Sequence, residues 1–137
     1  MNHLIGTYQL QLPQGTTIRA KHSIPPTKKI GEGHTHWEIS LGEFILRIHL
    51  NPRGIPSDLA GFILSCTKEY VQLDQIEING TYGVKFGEYT SPRSWTDWWL
   101  KRGDLMICIN LQGPARPTSE DIQLHSQILQ SLRYVAV

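Results

Sequence analysis

Three side chains that commonly bind metals occupy alternate positions in one short segment: His34, His36 and Glu38. Residues two apart on a β-strand point to the same face, so an extended segment would place both imidazoles and the carboxylate side by side. Zinc sites use three or four nitrogen, sulfur or oxygen donors, and His49 and His22 are further candidates if folding brings them close. The spacing allows a metal-binding protein or metal-dependent enzyme; the alternative is a solvated strand face.

Tryptophans and cations crowd together later in the chain: Arg93, Trp95, Trp98, Trp99, Lys101 and Arg102. On a strand, Trp95 and Trp99 would share one face with Asp97, and Trp98 would point to the other face. Tryptophan and arginine are enriched among the residues that dominate protein–protein binding. We therefore predict a protein-binding surface that comprises Trp95, Trp99, Arg93, Lys101 and Arg102. The alternative is that both faces of this strand are packed in the core.

The sequence lacks the short motifs that mark common catalytic and nucleotide-binding sites. It contains no Gly-x-Ser-x-Gly nucleophile elbow, no Gly-x-Gly-x-x-Gly turn and no phosphate-binding loop that ends in Lys-Ser or Lys-Thr. Cys66 and Cys108 lie in apolar patterns, which favour buried thiols over a disulfide framework. These observations favour a protein that is not an enzyme, and they imply no cofactor.

Length, composition and charge define the class of protein. We assign residues 1–137 to a single domain, because domains commonly contain about 100–200 residues. The chain is 39% hydrophobic and carries a formal net charge of +1, which excludes the basic excess behind sequence-independent nucleic-acid binding. Its longest apolar run, residues 105–109, is far shorter than the ~20 residues of a membrane span, and no secretory signal is evident. We predict a soluble cytoplasmic protein, or an exported one whose signal has been removed.

Alternating apolar and polar residues predict the strands that must position these side chains. The predicted strands cover residues 4–12, 36–41, 43–50, 73–78, 81–89, 94–100 and 105–111. Gly42 and the pair Asn79-Gly80 predict tight hairpins between neighbouring strands.

Apolar residues at helical spacing predict two helices, over about residues 57–70 and 119–133. Thr118 and Asp121 have the spacing of a capping box at the start of the second helix. Strands do not alternate one-for-one with helices, which argues against a doubly wound parallel sheet. We therefore predict an α+β fold with an antiparallel central sheet of five to seven strands, flanked by these two main helices.

Several short motifs follow one another along the chain: Leu12-Pro13-x-Gly15, Ile78-Asn79-Gly80, Gly103-Asp104-Leu105-Met106-Ile107 and Ile128-Leu129-x-Ser131-Leu132-Arg133-Tyr134. With the predicted mid-chain helix, their order resembles small bacterial proteins of the PsbP-like and DcrB-like group over most of the chain. The resemblance implies a central antiparallel sheet flanked by helices, and a non-catalytic accessory protein that acts by binding. It carries over no catalytic residue.

The sequence is compatible with two functions from different classes. The leading one is a non-enzymatic binding or accessory protein that assists or neutralises a partner protein, as an immunity protein does. The alternative is a metal-binding protein or metal-dependent enzyme that uses His34, His36 and Glu38. Neither function involves nucleic acid or a membrane span.

Overall fold

The computed structural model describes residues 2–22, 35–50, 73–88, 93–102 and 105–135. In chain order its elements are β1 (Asn2–Ile5), β2 (Tyr8–Gln11), β3 (Ile18–His22), β4 (Thr35–Leu41), β5 (Phe44–Leu50), β6 (Asp74–Ile78), β7 (Thr81–Glu88), β8 (Arg93–Arg102), β9 (Leu105–Pro114), α1 (Ser119–Gln130) and β10 (Arg133–Tyr134).

Seven of the strands form one antiparallel sheet in the order β3-β4-β5-β9-β8-β7-β6. The turns at Gly42 and at Asn79-Gly80 join β4 to β5 and β6 to β7, as the sequence predicts. Asn79 and Gly80 have φ angles of 48° and 85°, the left-handed values that a two-residue hairpin turn requires. The pairing of β5 with β9 then joins two distant parts of the chain in the middle of the sheet.

One face of this sheet, here called the helix face, carries the main hydrophobic core. Leu46 lies opposite Leu111, and Ile48 opposite Ile109, so that alternate residues of neighbouring strands project to the same side. A smaller sheet, in the order β1-β2-β10, and the helix α1 pack onto this face. The core includes Leu100, which is 0% exposed.

The helix α1 begins with the predicted capping box. The Thr118 side chain accepts a hydrogen bond from the Asp121 backbone N–H at 3.1 Å, and the Asp121 carboxylate accepts one from the Thr118 N–H at 3.2 Å. At the other end, the Asn79 side-chain amide donates to the backbone carbonyls of Gln130 and Leu132, at 2.9 Å each. The hairpin between β6 and β7 is therefore fastened to the end of α1.

The predicted α+β fold class with two main helices is wrong, because the described chain consists mostly of strands and contains one short helix. Residues 4–12 do not form one strand, since a turn at Gly6, with φ of 60°, separates β1 from β2. The predicted helix 119–133 ends at Gln130, and Arg133 and Tyr134 instead pair with β2. The predicted helix 57–70 lies outside the described residues.

Within the described residues, no helix is long and apolar enough to cross a membrane.

Candidate functional site

An open cleft of about 250 Å³ lies on the helix face between α1 and the end strand β6. Ile122, Ser126 and Gln130 line it from α1, where a spacing of four residues places them on one side of the helix. Ile76, Glu77 and Ile78 line it from β6. Because α1 and β6 are far apart in sequence, this α1–β6 cleft forms only when the chain folds.

Strands β7 and β8 contribute Lys85, Thr96 and Trp98 to the floor of the α1–β6 cleft. The ammonium of Lys85 lies 5.6 Å from the centroid of the Trp98 ring, a distance typical of a cation–π contact. Across the pairing of β6 with β7, Lys85 lies opposite Asp74, an exposed residue at the start of β6. The floor therefore presents a cation on an aromatic surface, next to walls that combine apolar side chains with polar ones and the Glu77 carboxylate.

Glycines on both sides of Lys85 leave the floor of the α1–β6 cleft without neighbouring side chains from β7. Gly83 and Gly87 share the face of β7 that carries Lys85, because they are two residues away from it. A Cβ atom at either glycine would collide with the backbone of β8. The close approach of β8 thus requires glycine at positions 83 and 87. Between them, Lys85 is the residue of β7 whose side chain projects from this face.

Two polar side chains that line the α1–β6 cleft, Ser94 and His125, contact other residues of the protein. The Ser94 hydroxyl donates to the Pro114 carbonyl at 2.7 Å. The His125 ring packs edge-on against Phe44, with ring centroids 4.5 Å apart. Burial lowers the pKa of His125, although nearby Asp121 opposes the shift, so the imidazole is neutral at pH 7. Both side chains support the shape of the cleft.

The predicted tryptophan surface lies on the other side of the large sheet, here called the far face. Trp95 and Trp99 each contact Phe86 edge-on, with centroid distances of 5.7 and 5.8 Å. Both tryptophans are half-buried against a cluster that includes Phe86 and Cys108. Trp98 points to the helix face, so the predicted division of the three tryptophans between two faces is confirmed.

The predicted cations do not all accompany these tryptophans. Lys101 is two residues from Trp99 on β8 and shares its face. Arg102 projects to the helix face, where its guanidinium lies 4.9 Å from the centroid of the Tyr134 ring. Arg93 begins β8, opposite Pro114. The structure thus separates Arg102 from Trp95, Trp99 and Lys101.

The predicted metal-binding row is divided between different partners. His36 and Glu38 share the far face, but the Glu38 carboxylate forms an ion pair with Arg47 at 3.4 Å. His36 lies opposite His49, and their rings stack with centroids 4.9 Å apart. His34 lies outside the described residues. In the part of the chain that the structure describes, no three His, Cys, Asp or Glu side chains are grouped as metal ligands.

A partly buried polar pair lies near the middle of the far face. The Asn110 side-chain amide donates to the Asp97 carboxylate at 2.8 Å, across the pairing of β8 with β9. Burial raises the pKa of Asp97 to about 6, and the hydrogen bond from Asn110 opposes the shift. Burial raises the pKa of the Cys108 thiol, and the charge of Asp97 adds a smaller contribution in the same direction. Cys108 is therefore a protonated core residue. This agrees with the structural thiol predicted at Cys108, whereas Cys66 lies outside the described residues.

The α1–β6 cleft was not predicted from sequence, although one signal for it is present. The pattern Gly83-x-Lys85-x-Gly87 places a lone lysine between two glycines on one face of a strand. Such a pattern indicates a strand face with little side-chain cover. The helix that forms the other wall cannot be inferred from this pattern, since that requires the tertiary structure.

Comparisons with known proteins provide no family for this chain: no protein-family model matches it, and no curated protein matches it significantly.

Proposed function

We propose that this chain is a non-enzymatic accessory protein that binds a partner protein, and that the partner occupies the α1–β6 cleft. The resemblance to PsbP-like and DcrB-like proteins favours an accessory role. The observation that carries the proposal is an open cleft whose two walls expose apolar side chains beside a lysine. Clustered apolar side chains at a surface commonly mark interaction sites.

Ile122 is the residue of α1 that best fits a contact of this kind. It is 48% exposed although it lines the cleft, so a partner side chain can reach it. Burying an exposed isoleucine stabilises a complex, because apolar surface is removed from water. Ile76 and Trp98 extend the apolar surface across the cleft.

The size of the α1–β6 cleft favours a protein segment over a small molecule. Pockets for drug-sized molecules commonly measure about 300–1,000 Å³, and this cleft measures about 250 Å³. A volume of this size suits a few side chains of a longer segment, whose remainder lies on the surface.

Co-purification of matched variants from the native host tests the proposal. Ile122→Arg places a charge in the cleft, whereas Leu124→Arg alters another exposed apolar residue of the same helix outside the cleft lining. We expect a stoichiometric partner protein to co-purify with the wild type and with Leu124→Arg, and to be lost from Ile122→Arg. Mass spectrometry identifies the partner, and circular dichroism confirms that both variants fold.

Two outcomes would contradict the proposal. Absence of any stoichiometric partner would remove the binding function, and equal retention by both variants would place the contact elsewhere. The predicted surface of Trp95, Trp99, Arg93 and Lys101, from which the structure separates Arg102, stays a prediction, and the double variant Trp95→Ala/Trp99→Ala tests it in the same assay. Loss of the partner from that variant alone would favour the far face.

We place the protein in the cytoplasm, or outside it if a signal has been removed. Fractionation of native cells, with the partner followed in parallel, distinguishes the two.

A further inference from the structure

The turn between β6 and β7 consists of Asn79 and Gly80, a dipeptide with a chemistry of its own. Asparagine is a chemically labile residue, and a following glycine favours its deamidation because no side chain shields the glycine nitrogen. This is the only Asn-Gly pair in the sequence. The turn is therefore the position of the chain at which deamidation is most favoured by sequence.

The Asn79 side chain also joins the two walls of the α1–β6 cleft at one end. Its Nδ2 donates to the backbone carbonyl of Gln130, the last residue of α1, and to that of Leu132, at 2.9 Å each. An amide nitrogen donates hydrogen bonds, whereas a carboxylate only accepts them. A carboxylate at position 79 would thus face two carbonyl oxygens at the C-terminal end of a helix, where the helix dipole also disfavours negative charge.

Two charged side chains lie close to the Gly80 nitrogen. Oε1 of Glu77 accepts a hydrogen bond from the Gly80 N–H at 2.6 Å, so a carboxylate lies next to the proton that deamidation removes. The Arg102 side chain is the second, since a Cβ atom added to Gly80 would come within 2.9 Å of its Nη1. A neighbouring cation favours loss of that proton. The turn therefore combines a nucleophile with a base and a cation.

We propose that Asn79 is a modification site, at which spontaneous deamidation releases the β6–β7 hairpin from the end of α1. When local opening frees the Asn79 amide from the two carbonyls, the Gly80 nitrogen attacks Cγ of Asn79 and its proton passes to Glu77. The Cγ–Nδ2 bond then breaks, the proton returns to Nδ2, and ammonia leaves behind a cyclic imide. Water opens the imide at either carbonyl, which yields aspartate or isoaspartate at position 79.

Both products weaken the contact between the hairpin and α1, for different reasons. Aspartate keeps the backbone intact, but its carboxylate cannot donate to the carbonyls of Gln130 and Leu132. Isoaspartate adds one carbon to the backbone, so the two-residue turn no longer fits the register in which Ile78 pairs with Thr81. The α1–β6 cleft thereby loses the bond between its walls, whether or not a partner occupies it.

Peptide mapping by mass spectrometry tests the modification in the full chain, incubated at neutral pH. We expect aspartate and isoaspartate to accumulate at position 79, and not at Asn110, which precedes Leu111 and donates to Asp97. The reaction should be faster in urea, which removes the bonds to the two carbonyls. Glu77→Gln should slow the native reaction several-fold, whereas Glu120→Gln, at an exposed position of α1, should leave it unchanged.

Two results of this experiment would overturn the proposal. A native chain that stays unmodified at position 79, under conditions that modify the unfolded chain, would show that the folded hairpin is not a modification site. A native rate that Glu77→Gln leaves unchanged would overturn the chemistry assigned to the turn.

A pair of variants tests the release of α1. Asn79→Asp reproduces one product, and Asn79→Gly removes the amide without adding charge, at a φ of 48° that glycine adopts readily. At pH 7, the unfolding equilibrium constant of Asn79→Asp should exceed that of Asn79→Gly about tenfold, as measured in urea. The difference should close below about pH 4, where a protonated carboxyl can again donate to a carbonyl. Equal stability at pH 7, as capture of the carboxylate by Arg102 would produce, would overturn the release.

Discussion

The two faces of the large sheet bury different chemistry, although the same strands supply both. On the helix face, Leu46, Ile48, Leu100 and Ile109 form an apolar core with exposures of 0–1%. On the far face, polar pairs lie beside aromatic side chains, as Asp97 with Asn110 and Glu38 with Arg47 show. Apolar burial stabilises the first face, whereas each polar group on the second requires a partner.

The contrast is sharpest within β8. Trp98 and Leu100 belong to the main core, while Asp97 and Trp99, which alternate with them along the strand, belong to the far face. Because side chains alternate along a strand, adjacent residues enter environments of different polarity. A cluster of residue types in the sequence is therefore divided by the fold, and proximity along a strand is a poor guide to a shared site.

The prediction with the largest expected effect concerns the core on the helix face. Leu100→Ala should lower the free energy of unfolding by about 2–5 kcal/mol, because it removes a fully buried side chain and leaves a cavity. Tyr82→Ala is the control on the neighbouring strand, since Tyr82 is 63% exposed, and it should change stability by less than about 0.5 kcal/mol. Urea unfolding measures both, and equal losses would show that the helix face is not the dominant core.

The second prediction concerns the far face and the pH dependence of stability that Asp97 causes. The pKa of Asp97 rises from an ordinary value of 3.8 to about 6 on folding, so the folded state retains the proton over that interval. Stability from this group therefore falls as pH rises from about 4 to 6. Asp97→Asn should be more stabilising, relative to wild type, at pH 7 than at pH 4, by about 1–3 kcal/mol.

Urea unfolding of wild type and Asp97→Asn at the two pH values isolates this residue from other titrating groups. The amide oxygen of the variant can still accept the hydrogen bond from Asn110. An identical difference in unfolding free energy at pH 4 and pH 7 would mean that the folded state does not raise the pKa of Asp97.

The smallest expected effect concerns α1, which covers part of the helix face and forms one wall of the cleft. Thr118→Ala should lower the free energy of unfolding by about 1 kcal/mol, because the Asp121 N–H loses its capping acceptor. Ser119→Ala, at an exposed neighbouring position, should have a smaller effect. Thermal unfolding compares the two variants, and an equal response would argue that the capping box does not stabilise α1.

The predictions from sequence succeed where structure is local. Gly42 and Asn79-Gly80 predict their hairpins because left-handed φ angles suit glycine and asparagine, and Thr118 predicts the start of α1 through its capping box. The predicted fold class is wrong, because short strands such as β1, β2 and β10 give weak periodic signals in the sequence. Pairing of Arg133 and Tyr134 with β2 depends on a contact between the two ends of the described chain.

For the candidate site residues too, the sequence predicts local features but not contacts between distant residues. Alternation correctly divides Trp98 from Trp95 and Trp99, yet the apparent row of His36 and Glu38 is separated by partners on β5. Those partners, His49 and Arg47, are brought opposite by the hairpin register, which places each side chain within reach of its cross-strand neighbour. Residue types alone do not specify which of several possible partners a side chain meets.

The sequence by itself determines the turns, the helix cap and the alternation that assigns each strand residue to one of two faces. These depend on backbone conformation and on hydrogen bonds over a few residues. Tertiary structure alone decides that β5 pairs with β9, that Asn79 donates a hydrogen bond to the last residue of α1, and that Lys85 lies in a cleft beside Ile122. Such contacts join distant segments, and they form because burying apolar surface offsets the entropy lost when the chain is ordered.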